Sequence, residues 1–122
     1  MAKIVVVEDE VDLRELLVDE LEDMGHVIVE ANNGEEGLDV ILDQDPDLIL
    51  ADINMPKLSG HELRRRLIND HPKHASIPFV FMSAFADQQD VTEGMGIGAT
   101  HYFTKPLDYS ELEDWIGNLT ND

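Results

Sequence analysis

Cysteine is absent from the 122-residue chain. That excludes disulfides and thiolate metal sites and suits a reducing compartment. Bases are scarce: 8 Lys and Arg stand against 27 Asp and Glu, for a formal charge of −19. Direct nucleic-acid binding by this domain is therefore not expected, because phosphate contacts need clustered Lys and Arg. The one basic run, Arg64-Arg65-Arg66, is flanked by Leu63 and Leu67 at helical spacing and reads as a solvated helix face. Long apolar runs are missing too. Near the N-terminus only Ile4 to Val7 is continuously apolar, too short for a signal peptide or a membrane span. The expectation is a soluble cytoplasmic protein with no membrane partner. What the chain does have is 43% apolar residues, enough for a packed core, at a length that fits one domain over 1–122. Its acidity favours cations, a divalent ion above all.

The pattern alternates strand and helix, with no repeat or linker. Lys3–Val7 reads as a strand, and Val11–Met24 as a helix with Leu13, Leu16, Leu17 and Leu21 on one stripe and Gly25 as its stop. His26–Glu30 is a second strand. Asn33 can cap a helix carrying Leu38, Ile41 and Leu42 that ends before Pro46, and Leu48–Ala51 is a third strand. A helix near Gly60–Asn69 should turn Leu63, Leu67 and Ile68 inward. Ile77–Met82 is a fourth strand, and Ala86–Ile97 a fourth helix. Gly94 and Gly96 each cost that helix about 1 kcal/mol against Ala, which predicts a short, frayed and mobile element. Tyr102-Phe103-Thr104 is a short fifth strand. Asp108 with Glu111 opens a fifth helix, with Leu112, Trp115, Ile116 and Leu119 on its inner face. Five β–α units predict a doubly wound parallel sheet with five helices on its two faces.

In such sheets ligands bind outside the carboxyl ends of the strands. The strand ends carry Glu8-Asp9, Asp52, Ser83 and Lys105-Pro106. Three carboxylates brought together repel unless a cation joins them, and Mg²⁺ accepts a few carboxylates alongside phosphate oxygens. With Lys105 the formal charges of such a site cancel, so a phosphoryl group can approach. Asp is a competent nucleophile for it. His71 and His74 form H-x-x-H, but Pro72 lies between them and no third ligand is close, so zinc is not expected.

These segments carry a resemblance. "VVVEDE", "LILADINMP" with Gly60 eight residues past Asp52, "SA" after the fourth strand, and "YFTKP" occur in an order and spacing that resemble the response-regulator receiver domain of two-component signalling, over essentially the whole chain. The resemblance implies a flavodoxin-like fold with strand order 2-1-3-4-5. It implies that Asp52 accepts a phosphoryl group and that Mg²⁺ is held by Asp9 directly, by Glu8 through water, by Asp52 and by the carbonyl of Asn54. Lys105, followed by a cis peptide before Pro106, would pair with the phosphoryl group. Ser83 and Tyr102 would be the switch residues, read on the face of the fourth helix, fifth strand and fifth helix. Glu8 stands where Asp is equally or more usual, which leaves the metal geometry open.

The implied partner is a sensor histidine kinase or a histidine phosphotransfer protein, since none of the five histidines here reads as a donor. An output domain or a target protein would receive the signal. Phe85, apolar and two residues past Ser83, would shield the acyl phosphate from water. Two rivals compete with this reading. A phosphorylation-independent scaffold has no need of the full polar set. A Mg²⁺-dependent phosphohydrolase often has a second carboxylate two residues after its nucleophile, where this chain has Asn54. The domain itself would not be a turnover enzyme, only the catalyst of its own phosphorylation and slow dephosphorylation. The chain ends soon after the expected fifth helix, which predicts either a stand-alone receiver or part of a longer regulator or hybrid kinase.

Overall fold

The computed structural model describes residues 2–84 and 95–120. Five strands, β1 (Lys3–Val7), β2 (Val27–Ala31), β3 (Leu48–Asp52), β4 (Phe79–Ser83) and β5 (His101–Thr104), form one parallel sheet in the order 2-1-3-4-5. Four helices are seen among the described residues: α1 (Val11–Asp23), α2 (Gly34–Gln44), α3 (Gly60–Asp70) and the C-terminal α4 (Tyr109–Thr120). Most of the helix expected over 86–97, with Gly94 and the neighbouring Phe85, lies outside the described residues. Gly96 is described, in a helical turn at 95–96. No described helix is long and apolar enough to cross a membrane.

The two-residue period of the strands builds the layers. Val5, Val7, Ile49, Ala51, Phe79 and Phe81 point to one face and pack with Ile41 of α2 and Leu63 and Leu67 of α3. Ile4, Val6, Leu48, Leu50, Val80 and Met82 point to the other, against Leu17 and Leu21 of α1 and Leu112 and Ile116 of α4. Both faces of the central strands are thus covered, which is why their sequences are apolar throughout rather than alternating. Caps fix where helices start. Asn33 Oδ1 accepts from the Glu36 amide at 2.9 Å, and Asp108 Oδ1 accepts from the Glu111 amide at 3.2 Å. Ser59 and Glu62 form a reciprocal capping box on α3. At Gly25, φ is +93°, a conformation that ends α1 at small cost only for glycine.

Three helix-face expectations are corrected. Leu16 is 49% exposed, because it lies about 100° round the helix from Leu17, away from the buried stripe. Ile68 is 39% exposed for the same reason relative to Leu67. Arg64, by contrast, is not solvated but buried. Its Nε donates to the Ile97 carbonyl at 2.9 Å, Nη1 to the Ala75 carbonyl at 2.9 Å and Nη2 to the Gly98 carbonyl at 3.2 Å. The guanidinium also lies over the Phe79 ring, 5.7 Å from its centroid. Trp115 is half-buried against the α1/α4 core, stacked on His101 and edge-on to Phe103.

Candidate functional site

The β1–α1 loop carries Glu8 and Asp9, β3 ends on Asp52, β4 ends on Ser83, and Lys105 follows β5. The parallel register sets these ends side by side. Val7 pairs with Ala51, Asp52 with Met82, and Ser83 with Thr104. One oxygen of each of Glu8, Asp9 and Asp52 lies within 4.8 Å of the others. Opposite ligands of one octahedral Mg²⁺ stand about 4.2 Å apart, so this all-oxygen set fits such an ion after a small contraction. Glu8 is fully buried and Asp52 almost so, whereas Asp9 is open to solvent.

Lys105 joins the group. Its Nζ lies 2.7 Å from Glu8 Oε1 and 3.2 Å from Asp52 Oδ2. The Lys105–Pro106 peptide is cis, and the Lys105 amide donates to the Ser83 carbonyl at 2.7 Å. Burial and the nearby Asp52 charge push the Glu8 carboxyl up to about 7, against the pull of Lys105 and of the Glu10 amide, which donates to Glu8 Oε2 at 3.1 Å. Burial acts to lower Lys105, but the two carboxylates outweigh it and hold the ammonium above its ordinary range.

Ser83 is fully buried, one residue beyond the register partner of Asp52. Asn54 is exposed in the loop two residues after Asp52. Tyr102 is half-buried beside Phe81, with ring centroids 6.4 Å apart. The structure therefore brings Glu8, Asp9, Asp52 and Lys105 together and sets Ser83 at the adjoining strand end. Tyr102 lies on β5, in register with Phe81. The His71 and His74 rings meet edge-on, and His74 Nε2 lies 3.5 Å from Asp45 Oδ1. Among the described residues the one group of three potential ligands able to share a metal is Glu8, Asp9 and Asp52.

Two features escaped the sequence. Arg14 Nη1 donates to the Glu8 carbonyl at 2.8 Å, while Nε pairs with Glu30 Oε1 at 3.2 Å. The signal for it was a lone arginine one turn into an otherwise acidic helix. The second feature is a groove of about 490 Å³ beside Lys105, lined by Leu13, Leu16, Ala84, Pro106, Leu107 and Tyr109 among others. Only the folded chain puts the start of α1 next to the loop after β5.

Comparison with known proteins agrees with the geometry. A sequence model of the response regulator receiver domain matches residues 4–116. The chain is 36% identical over 117 residues to the probable transcriptional regulator ycf27 of Cyanophora paradoxa, covering 96% of this chain and 47% of that protein. It is 38% identical over 109 residues to the phosphate regulon transcriptional regulatory protein PhoB of Pseudomonas aeruginosa, covering 89% and 47%. The chain thus spans about half the length of these curated relatives. The receiver domain of the Francisella response regulator 1452 superposes with a TM-score of 0.89 at 27% identity, covering 98% of this chain and 96% of that one. With its parallel sheet in the order 2-1-3-4-5 and an acid triad at the strand ends, the chain belongs to the response-regulator receiver family of two-component signalling.

Proposed function

We propose that residues 1–122 form one receiver domain in which Asp52 accepts a phosphoryl group from a phosphohistidine on a partner kinase or phosphotransfer protein. The observation that carries this reading is the convergence of Glu8, Asp9 and Asp52 with the Lys105 ammonium. A carboxylate oxygen of Asp52 attacks phosphorus, the bond from phosphorus to the donor imidazole breaks, and the imidazole nitrogen leaves with the electron pair. Asp9, Glu8, Asp52 and the Asn54 carbonyl would hold Mg²⁺, which when bound supplies positive charge beside the phosphoryl oxygens. Lys105 supplies the protein's own positive charge there, held by an ion pair with Glu8 and a hydrogen bond to Asp52.

The acquired charge then draws the Ser83 hydroxyl and Lys105 toward the phosphoryl group. The Lys105 amide is bonded to the Ser83 carbonyl, so the two responses are mechanically linked. Tyr102, half-buried beside Phe81, turns further in, and the change is read on the face of the expected helix over 86–97, β5 and α4. A target protein or an output domain would read that face.

For the donor, the groove lined by Leu16 and Lys105, with the exposed Val11 also on α1, offers an apolar landing surface beside the lysine that contacts Asp52. The acids around it suit a partner with basic residues at its rim. The domain takes one phosphoryl group and loses it slowly to water, without turning over a separate substrate.

The test is an intact mass after incubation with Mg²⁺ and a small phosphodonor. One phosphoryl adduct is expected on the wild type and none on Asp52→Ala. A wild type without adduct, or an equal adduct on Asp52→Ala, would overturn the reading.

A further inference from the structure

The loop that carries two of the three site acids has few means of holding its shape. Glu8 donates its amide to the Ala31 carbonyl at 3.0 Å, and its carboxylate accepts from the Glu10 amide at 3.1 Å. The next fixed point is supplied by α1. The Arg14 amide donates to the Glu10 carbonyl at 2.9 Å as the first turn of the helix closes. The side chain of Arg14 then folds back so that Nη1 reaches the Glu8 carbonyl at 2.8 Å. The other edge of the guanidinium is held by Glu30 at the end of β2, 3.2 Å from Nε. The Arg14 side chain is only 15% exposed, against 47% for Glu30. A planar guanidinium with its donors in a fixed fork can tie two elements at once, which a flexible ammonium does less well.

We infer that Arg14 is a positioning residue for the metal site: by bridging the Glu8 carbonyl to Glu30 it holds the Glu8–Asp9 loop in the conformation that presents both carboxylates toward Asp52. The inference rests on the metal-dependent reading above. It makes a claim of opposite sign to simple electrostatics. A cation near three carboxylates repels Mg²⁺, so its removal should tighten metal binding if charge were its only effect. If Arg14 orders the loop, its removal should weaken binding, because Asp9, open to solvent, must then be fixed at the expense of the binding free energy.

The experiment is a calorimetric titration of Mg²⁺ into wild type, Arg14→Gln, Arg14→Lys, Glu30→Gln and Arg14→Gln/Glu30→Gln, with urea unfolding of each without metal. Arg14→Gln should bind Mg²⁺ about ten-fold more weakly, the usual size for a group that orients a metal ligand. Arg14→Lys should recover part of that loss, though it carries the same charge as the wild type. Glu30→Gln, on an exposed side chain that does not threaten folding, should weaken binding modestly alone and not at all in the Arg14→Gln background. Unchanged or tighter Mg²⁺ binding by Arg14→Gln overturns the inference, whatever happens to its stability. An equal effect of Glu30→Gln in both backgrounds also overturns it, since Glu30 would then act as a bare charge. A wild type that binds no Mg²⁺ defeats the metal-dependent reading itself, and a wild type that binds while Arg14→Gln binds equally defeats only the role of Arg14.

Discussion

Lys105 stands closer to Glu8, as an ion pair, than to Asp52, to which it donates a hydrogen bond: its Nζ is 2.7 Å from Glu8 Oε1 and 3.2 Å from Asp52 Oδ2. The ammonium is thus shared between a fully buried carboxylate and the proposed phosphoacceptor. Glu8 cannot reach solvent, so Lys105 is its main compensation in the metal-free protein. That compensation is incomplete, and the residual cost has consequences for stability.

The Glu8 carboxyl sits at about 7 in the folded protein, against an ordinary 4.5. The folded state therefore holds a proton that the unfolded state gives up. Stability of the metal-free protein should fall as pH rises from about 4.5 to 7, by up to about 3 kcal/mol from this group, and the cost stays in place above that window. Self-repulsion of the acidic chain runs in the same direction, so the difference between proteins isolates the residue. Urea unfolding in a chelator should find Glu8→Gln more stable than wild type at pH 7.5 by about 1–3 kcal/mol and much closer to it at pH 5. Added Mg²⁺ should stabilise the wild type more than the variant. A difference that does not change with pH would refute this account of Glu8.

Arg64 has three backbone carbonyls to satisfy, at Ala75, Ile97 and Gly98, and no substitute donor is near at hand in an aliphatic replacement. Arg64→Leu should cost about 2–4 kcal/mol, because buried acceptors are left unpaired while the apolar stem is only partly replaced. Arg66→Ala, on the exposed side of the same helix, should change stability by less than about 0.5 kcal/mol. Denaturant unfolding of both variants checks the contrast, and equal effects would show that the run is solvated after all.

A side chain at Gly60 would press on the Asp52 carbonyl oxygen and the Ile53 Cα. The Gly60 amide also donates to the Ile53 carbonyl at 2.9 Å, so the start of α3 is bolted to the phosphoacceptor loop. Gly60→Ala should destabilise by about 1–3 kcal/mol and slow adduct formation at Asp52. Gly96→Ala, with open space around it, is the control and should do neither. Thermal unfolding together with the intact-mass time course reads both effects.

Leu16 is half exposed and lines the groove beside Lys105. Leu16→Glu should leave phosphorylation by a small phosphodonor unchanged and reduce transfer from a phosphohistidine partner by about ten-fold or more, as expected for an apolar anchor at the centre of a contact. The rates from the two donors, measured side by side, decide it. Equal slowing with both would place the effect in the site and not in docking.

Much of this protein was legible in the sequence because its signals are local and periodic. Apolar runs such as "KIVVV" and "LILAD", short and rich in Val, Ile and Leu between turn signals, read as strands covered on both faces, and the caps at Asn33 and Asp108 depend on residues three apart. A parallel sheet with helices between its strands then forces Glu8, Asp9, Asp52, Ser83 and Lys105 to one edge, since every strand ends there. What only the tertiary structure decided is where side chains with two possible environments go. Arg64 and Arg66 are the same residue type two positions apart, yet one is buried under carbonyls from a turn more than thirty residues away in the chain and the other faces water. Leu16 fits a helical stripe on paper but falls off it by one position. The pairing of Arg14 with the Glu8 carbonyl likewise follows no pattern in the sequence, and although the strand ends bring Lys105 to both acids, only the folded chain sets it closer to Glu8 than to Asp52. Local chemistry set the backbone path, and the path alone determined which charges meet.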